Sequence, residues 1–272
     1  MAGGEGRGIP EVPVLAVASG KGGVGKTTVS VNLALALAAE GVRVGLIDAD
    51  LYGPDVPRMM GLRRTADAAT VTVSARPGTP GARLEPAVRH GVQLVSAAFL
   101  LGENQGLSIE APIAQLLVRR LLADTLWDNP GCLVIDLPPG AADIQQFVFA
   151  LKRERLSVLA VVTPQVVAHQ DMRRLIASLA MLRVDVLGGV ENMSGFICPH
   201  CGETTALFPP APESDNIWDL IPKLASVPFS PQAAMDADQG SPVLVTGSVP
   251  QQVAVYKGLA ETIMRRLKTD LG

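Results

Sequence analysis

The stretch Val14-Leu15-Ala16-Val17-Ala18-Ser19-Gly20-Lys21-Gly22-Gly23-Val24-Gly25-Lys26-Thr27-Thr28 decides how the rest of the chain is read. Val14–Ala18 is a short, wholly apolar run of the kind that forms a buried strand. The glycine-rich loop after it fits GxxxxGK[ST] from Gly20 to Thr27, and Lys26–Glu40 follows with a helical pattern. Strand, loop and helix in that order are the context the motif requires. Glycines let successive backbone N–H groups turn inward as an anion-binding nest, and the helix N-terminus adds positive potential. In such a loop Lys26 reaches the β- and γ-phosphates of a nucleotide and the Thr27 hydroxyl holds Mg²⁺. Gly20, Lys21, Gly22, Gly23, Val24, Gly25 and Thr28 complete the expected cradle for ATP.

Lys21 is surplus to an ordinary phosphate loop. GKGGVGKT resembles the deviant Walker A motif of the dimeric class that includes MinD, ParA and the nitrogenase iron protein. In that class the early lysine reaches across a homodimer to the partner's nucleotide, where it would neutralise charge on the transferring phosphoryl group.

Outward from the loop, apolar runs and helical patterns alternate. Arg43–Ile47, Val92–Ala97, Cys132–Leu137, Ser157–Val162 and Val184–Val190 are expected strands, and Ile109–Leu126, Asp143–Lys152 and Gln170–Leu182 expected helices. The alternation implies a doubly wound, mainly parallel α/β sheet in a P-loop NTPase three-layer sandwich. Residues 1–11 are expected to be a flexible N-terminus and residues 12–272 one ATPase domain. Arg63–Pro86 is expected to be an irregular excursion with one edge strand. Pro199, Pro209, Pro210 and Pro212 are expected to prevent regular structure over Gly195–Asp215.

Two strand ends carry acids. Asp48 and Asp50 close the second strand in Ile47-Asp48-Ala49-Asp50, and Asp136 closes Cys132–Ile135 before Pro138-Pro139-Gly140. Ligands of open α/β sheets bind at that edge. Asp136 is expected to hold Mg²⁺ through water, with Asp48 supporting the same shell, because Mg²⁺ keeps several of its waters. Asp50 would orient or deprotonate the attacking water. A lone strand-end acid is often only a solvated cap; three beside a phosphate loop point to a cation and a nucleophile.

Composition bounds the rest. The 272 residues are 48% apolar and 18% charged with a net charge of −3, which excludes a strongly basic nucleic-acid binder. Mean hydropathy is +0.30, yet Val29–Ala39 and Leu156–Val162 are too short to span a membrane, which takes about 20 apolar residues. Three cysteines without a secretory signal make no disulfide framework, so a cytoplasmic location is expected. The amphipathic stretch Gln251–Leu267 is expected to pack Val255, Leu259, Ile263 and Leu267 on its own domain.

Cys198-Pro199-His200-Cys201 is a single CxxC. A redox dithiol needs a helix after it, which Gly202 and the nearby prolines disfavour. A zinc ribbon needs a second pair. One pair supplies half the thiolates of an iron–sulfur cluster, and a symmetric dimer would supply the other half at its two-fold axis. Lys21 asks for the same dimer independently. Zinc or nickel delivery through the same pair stays open, since thiolates suit both, as does a MinD- or ParA-like positioning role. Cys132 is expected in the core and His200 exposed.

From about Val12 to the C-terminus the chain resembles the Mrp/ApbC-type iron–sulfur cluster carrier ATPases. The segments that carry the resemblance are VASGKGGVGKTTVSVNLALALA, GLIDADLYGPDVPRMMGL, LVIDLPPG, TPQ and GGVENMSGFICPHCGE. It implies an ATP-dependent homodimer that holds a bridging 4Fe-4S cluster on Cys198 and Cys201 and passes it to apo iron–sulfur proteins. It also implies that Asn192 contacts adenine and that Pro228 lines the base pocket. Glu110-Ala111-Pro112, Gly140-Ala141-Ala142-Asp143, Ser230 and Phe208-Pro209-Pro210-Ala211-Pro212 depart from the family pattern, and a slow hydrolysis rate is expected from those near the phosphates.

Overall fold

The computed structural model describes residues 10–62, 83–100, 110–140, 142–150 and 155–269, with only the backbone of 142, 143, 268 and 269. Nine strands build one sheet in the order β3-β4-β2-β5-β1-β6-β7-β8, with β9 also on β7. The strands are β1 Val14–Ala18, β2 Val44–Asp48, β3 Ala87–Arg89, β4 Val92–Ser96, β5 Cys132–Asp136, β6 Leu156–Val162, β7 Asp185–Ile197, β8 Thr204–Thr205 and β9 Lys223–Phe229. Only the short β3 and β8 run antiparallel to their neighbours. The helices are α1 Lys26–Ala39, α2 Val56–Met59, α3 Ala111–Ala123, α4 Ala142–Ala150, α5 Val166–Leu182, α6 Pro231–Asp238, α7 Val243–Thr246 and α8 Pro250–Thr269.

The period of two along each strand sorts the core into two clusters. Leu15 and Val17 of β1, Leu46 of β2 and Val134 of β5 face the cluster that contains α1 and α8. Val14, Ala16, Ile47, Leu133 and Ile135 face the one built with α3 and α4. The result is the expected three-layer α/β sandwich. Leu259, Ile263 and Leu267 of α8 are buried in the first cluster, so this amphipathic face is spent on the chain itself. Among the described residues no helix is long and apolar enough to cross a membrane.

Several elements differ from expectation. α5 starts at Val166 rather than Gln170. The expected strand Val184–Val190 does not stop there: β7 continues to Ile197, and Phe196 and Ile197 pair back with Thr205 and Thr204. Regular structure therefore persists into the stretch expected to be irregular, because Pro199 falls in the turn, where its missing N–H removes no ladder bond. β9 was not foreseen. Pro228 lies inside it, and a proline within a run demotes a strand; it is tolerated because, among the described residues, β9 pairs only with β7. The edge strand β3 begins just beyond the Arg63–Pro86 excursion, of which 63–82 lie outside the described residues, as do Ile109 and residues 151–154 at the ends of two expected helices.

Candidate functional site

The phosphate loop joins β1 to α1. Gly23 and Gly25 both take φ of +78°, a left-handed conformation that L side chains rarely adopt. Gly25 is the N-cap of α1 and makes no side-chain capping bond to the first-turn N–H groups. A Cβ on Gly25 would clash with Asn192 Nδ2. The loop is closed from the other side by Gln145, which donates to Pro138 O at 2.6 Å and Ser19 O at 3.4 Å.

The parallel register sets the acids in a row. Asp48 is level with Asp136 on β5 and with Ser96 on β4. Lys26 Nζ lies 2.9 Å from Asp136 Oδ1, and this ion pair is buried. Thr27 Oγ1 donates to Asp136 Oδ2 at 2.8 Å and Ser30 Oγ to its Oδ1 at 2.8 Å. Ser96 Oγ donates to Asp48 Oδ2 at 2.8 Å. Burial, then the facing Asp136 carboxylate, pushes the Asp48 carboxyl well above the ordinary carboxylate range. Asp50 is also raised by burial, against the opposing pull of Lys26 and the Gly53 and Tyr52 N–H groups on its Oδ1. Two packed acids that resist ionising together are a place where a divalent cation reverses the local balance.

Beside the loop a cavity of about 200 Å³ is lined by Gly25, Thr28, Asn192, Pro228, Gln252 and Tyr256, among others. Asn192 is buried and donates to Val24 O at 2.8 Å, so it braces the loop while also walling the cavity. Gln252 Nε2 donates to Pro228 O at 2.7 Å. A larger hollow of about 590 Å³ between α4 and α5 touches the loop only at Ser19 and Gly20; it shares no other predicted residue. Lys21 Nζ lies 3.3 Å from Gln165 Oε1 of its own chain. The side chain of Asp143 lies outside the described residues.

The cysteine pair occupies the turn between β7 and β8. Cys198 N donates to Glu203 O at 2.9 Å, and Gly202 N to Cys198 O at 2.8 Å. Cys198 is half-buried and Cys201 exposed. The backbone N–H of Cys201, then that of His200, and the Cys201 thiol point at the Cys198 sulfur and hold its thiol below the usual range. A lowered thiol pKa favours the thiolate, the form of cysteine that binds metal. Among the described residues no three His, Cys, Asp or Glu side chains cluster to hold a metal ion. His200 is exposed, and Cys132 is buried in β5, where burial pushes its thiol up to about 12. Met193, with φ of +53°, marks a register shift in the β7–β9 pairing between Asn192 and Phe196. It separates the part of β7 in the sheet from the part that carries the cysteines, as a bulge re-aims a strand.

Ser30, Ser96, Gln145, Gln165, Gln252 and Tyr256 were missed from sequence. Ser30 follows Lys26 by one helical turn in an otherwise apolar helix, and Ser96 ends a strand as the acids do. Those two signals were legible; the glutamines gave none.

The family model for ParA, described as NUBPL iron-transfer P-loop NTPase, matches residues 12–264. The iron-sulfur cluster carrier protein of Escherichia coli K12 is 35% identical over 260 residues, covering 93% of this chain and 66% of that protein. The protein of the same name from Haemophilus influenzae is 38% identical over 93% of this chain and 66% of its own length. That from Pseudomonas fragi is 36% identical over 93% and 86%. This chain thus spans about two thirds of the length of the first two relatives. Among solved structures, a nucleotide-binding protein from Archaeoglobus fulgidus, in complex with ADP and with cobalt found, superposes with a TM-score of 0.66 at 32% identity, over 84% of this chain and 86% of that one. The cell division ATPase MinD of Pyrococcus furiosus, at 20% identity, shares the fold with a TM-score of 0.67 over 93% and 98%. The glycine cradle, the row of strand-end acids and the match from Val12 onward make this chain a member of the ParA/NUBPL iron-transfer P-loop NTPase family.

Proposed function

We propose that residues 12–272 act as one ATP-hydrolysing unit that assembles a 4Fe-4S cluster between two copies of the chain and passes it to apo iron–sulfur proteins in the cytoplasm. One observation carries the link between nucleotide and cargo. A single strand, β7, holds Asn192 against the phosphate loop and presents Cys198 at its far end. A change in the loop is therefore felt in the strand that displays the thiols.

Residue roles follow from the geometry. Lys26, now paired with Asp136, would exchange that partner for the β- and γ-phosphates, and the Thr27 hydroxyl would turn from Asp136 to Mg²⁺. Asp48 and Asp136 would hold the waters of that ion. When bound, Mg²⁺ neutralises phosphate charge. Asp50 has Oδ1 fixed by the N–H groups of Tyr52 and Gly53, which leaves Oδ2 to orient the attacking water. Lys21 of one chain would neutralise the transferring phosphoryl group on the other. The backbone of Gly20 to Gly25 cradles the phosphates, and Thr28, Asn192 and Pro228 wall the base cavity.

Each chain offers two thiolates, so a four-iron cluster calls for two chains. Anaerobic reconstitution should give about four irons per dimer and shift the protein toward the dimer without nucleotide. About four irons per monomer, or a cluster that survives loss of both Cys198 and Cys201, would sink the bridging model. A second reading, delivery of zinc or nickel, is favoured by the same pair of thiolates. Stoichiometric zinc in anaerobically purified protein, with no capacity for iron and sulfide, would select it.

A further inference from the structure

We propose that Gln165 is a positioning residue for Lys21: it parks the lysine against its own chain, and release from Gln165 is a step in forming the nucleotide-bound dimer. The proposal rests on the reading above that Lys21 acts across the interface, and it deepens that reading by naming what holds the lysine beforehand.

Three observations converge. Lys21 Nζ lies 3.3 Å from Gln165 Oε1, across 144 positions of sequence. The same oxygen accepts from Thr163 Oγ1 at 3.3 Å, which fixes the amide in the orientation that faces the lysine. Second, Gln165 is the N-cap of α5 yet its side chain makes no capping bond. Ser, Thr, Asp or Asn normally fills that position so that its oxygen satisfies a first-turn N–H. Here the side chain is given to Lys21 instead. Third, the loop is seated directly on α5. A Cβ on Gly20 would lie 2.6 Å from the backbone carbonyl carbon of Asp171, so only glycine lets the loop come this close. Ser19 Oγ also donates to Lys21 O at 3.0 Å, which holds the peptide that aims the lysine. Loop, lysine and the start of α5 are thus in fixed register.

The neutrality of the amide sets the strength of the parking. An ammonium bonded to an amide oxygen is held, but less firmly than by a carboxylate in the same place. While Lys21 is parked it cannot reach a second chain, so the apparent dimer affinity falls by the fraction of molecules in which it is free. Gln165 thereby sets the protein concentration at which the assembly forms.

The test is sedimentation of the full chain loaded with Mg²⁺ and a non-hydrolysable ATP analogue, with each variant first shown folded by thermal unfolding. Gln165→Glu places a carboxylate opposite Lys21. It should raise the dimer dissociation constant about fivefold at low salt, and the increase should largely vanish near 0.5 M NaCl as the pair is screened. Gln165→Ala frees the lysine and should lower the constant about two- to fivefold. In a Lys21→Ala background both substitutions should leave dimerisation unchanged, because there is nothing left to park. If a Gln165 substitution unfolds the start of α5, Thr163→Val, which removes the hydroxyl that fixes the amide, should shift dimerisation in the direction expected of Gln165→Ala. If both Gln165 variants move dimerisation the same way, or if their effects persist undiminished without Lys21, the residue acts only on the structure of its own helix, and the parking proposal falls while the trans-acting lysine stands. Lys21→Ala alone leaving both dimerisation and turnover at the parent level would overturn the trans reading and this proposal with it.

Discussion

Lys26 and Asp136 are buried as a pair, so a substitution at either end acts on stability and on binding at once. Lys26→Ala leaves Asp136 with only the hydroxyls of Thr27 and Ser30, beside an Asp48 already pushed up by burial and by Asp136 itself. Breaking a buried pair from one side costs about 3–5 kcal/mol, and the two remaining hydroxyls place this case at the lower end. ATP affinity should fall by about 2–3 kcal/mol as well, since one charged contact is lost in a partly dry site. Titration calorimetry on protein verified as folded separates the two effects, and unchanged ATP binding would remove the phosphate-loop assignment. Gly25→Ala tests the cradle differently. The new Cβ would clash with Asn192 Nδ2, and the backbone sits at φ +78°. Nucleotide affinity should drop about tenfold or more from backbone strain of about 1–2 kcal/mol plus the clash.

At the scale of elements, β7 divides at Met193. Upstream, Gly189 to Glu191 lie between β6 and β9; downstream, Phe196 stacks on Phe229 with ring centroids 6.4 Å apart and the hairpin to β8 begins. A Cβ on Gly195 would lie 2.7 Å from Thr204 Cγ2 and 2.9 Å from Thr205 O. Gly195→Ala should therefore push β8 off β7 and loosen the turn that presents Cys198 and Cys201. The expected result is loss of most cluster retention on reconstitution, with ATP binding retained, because the phosphate loop itself is untouched. Cys198→Ala and Cys201→Ala should each abolish stable cluster binding. Cys132→Ala should keep it and cost only core packing. Iron and sulfide counts after gel filtration distinguish these outcomes.

Across the whole molecule, the stretch that returns from the hairpin to β9 is tied to α5. Arg173 pairs with Asp219 at 2.9 Å, Gln170 donates to Asp215 at 3.0 Å, and Ile217 N donates to His169 Nδ1 at 3.3 Å. His169 is buried, edge-on to Trp218. Burial holds its pKa below the ordinary 6.5, with Glu191 pulling it up and Lys223 pushing it down. The sign of the pH dependence follows. Above about pH 6.5 the imidazole is neutral in both folded and unfolded chains and its contribution is complete. As the pH falls below that value the unfolded chain takes the proton first, so stability is lost at up to about 1.4 kcal/mol per pH unit until the folded-state value is passed. Denaturant unfolding at pH 7.5 and 5.5 should show this loss, and His169→Asn, whose side-chain oxygen can accept the Ile217 N–H, should reduce it. An equal loss in the variant would assign the pH dependence to other groups.

The sequence by itself determined the strand–loop–helix unit at Val14–Glu40, the acids at the strand ends and the CxxC. Each is local: an apolar run of β-forming residues, glycines where φ must be positive, a carboxylate at the carboxyl end of an apolar run. Tertiary structure alone decided which strands are neighbours, and so that Ser96, Asp48 and Asp136 stand in one row. It also decided that β7 runs on through Gly195 to the cysteines and that a run containing Pro228 is a strand. A glycine or a proline lowers local β-propensity, and the ladder formed with a distant partner overrides it. The contact of Lys21 with Gln165 belongs to the same class. A polar side chain at a helix start has many local uses, and only the close packing of Gly20 on α5 selects this one.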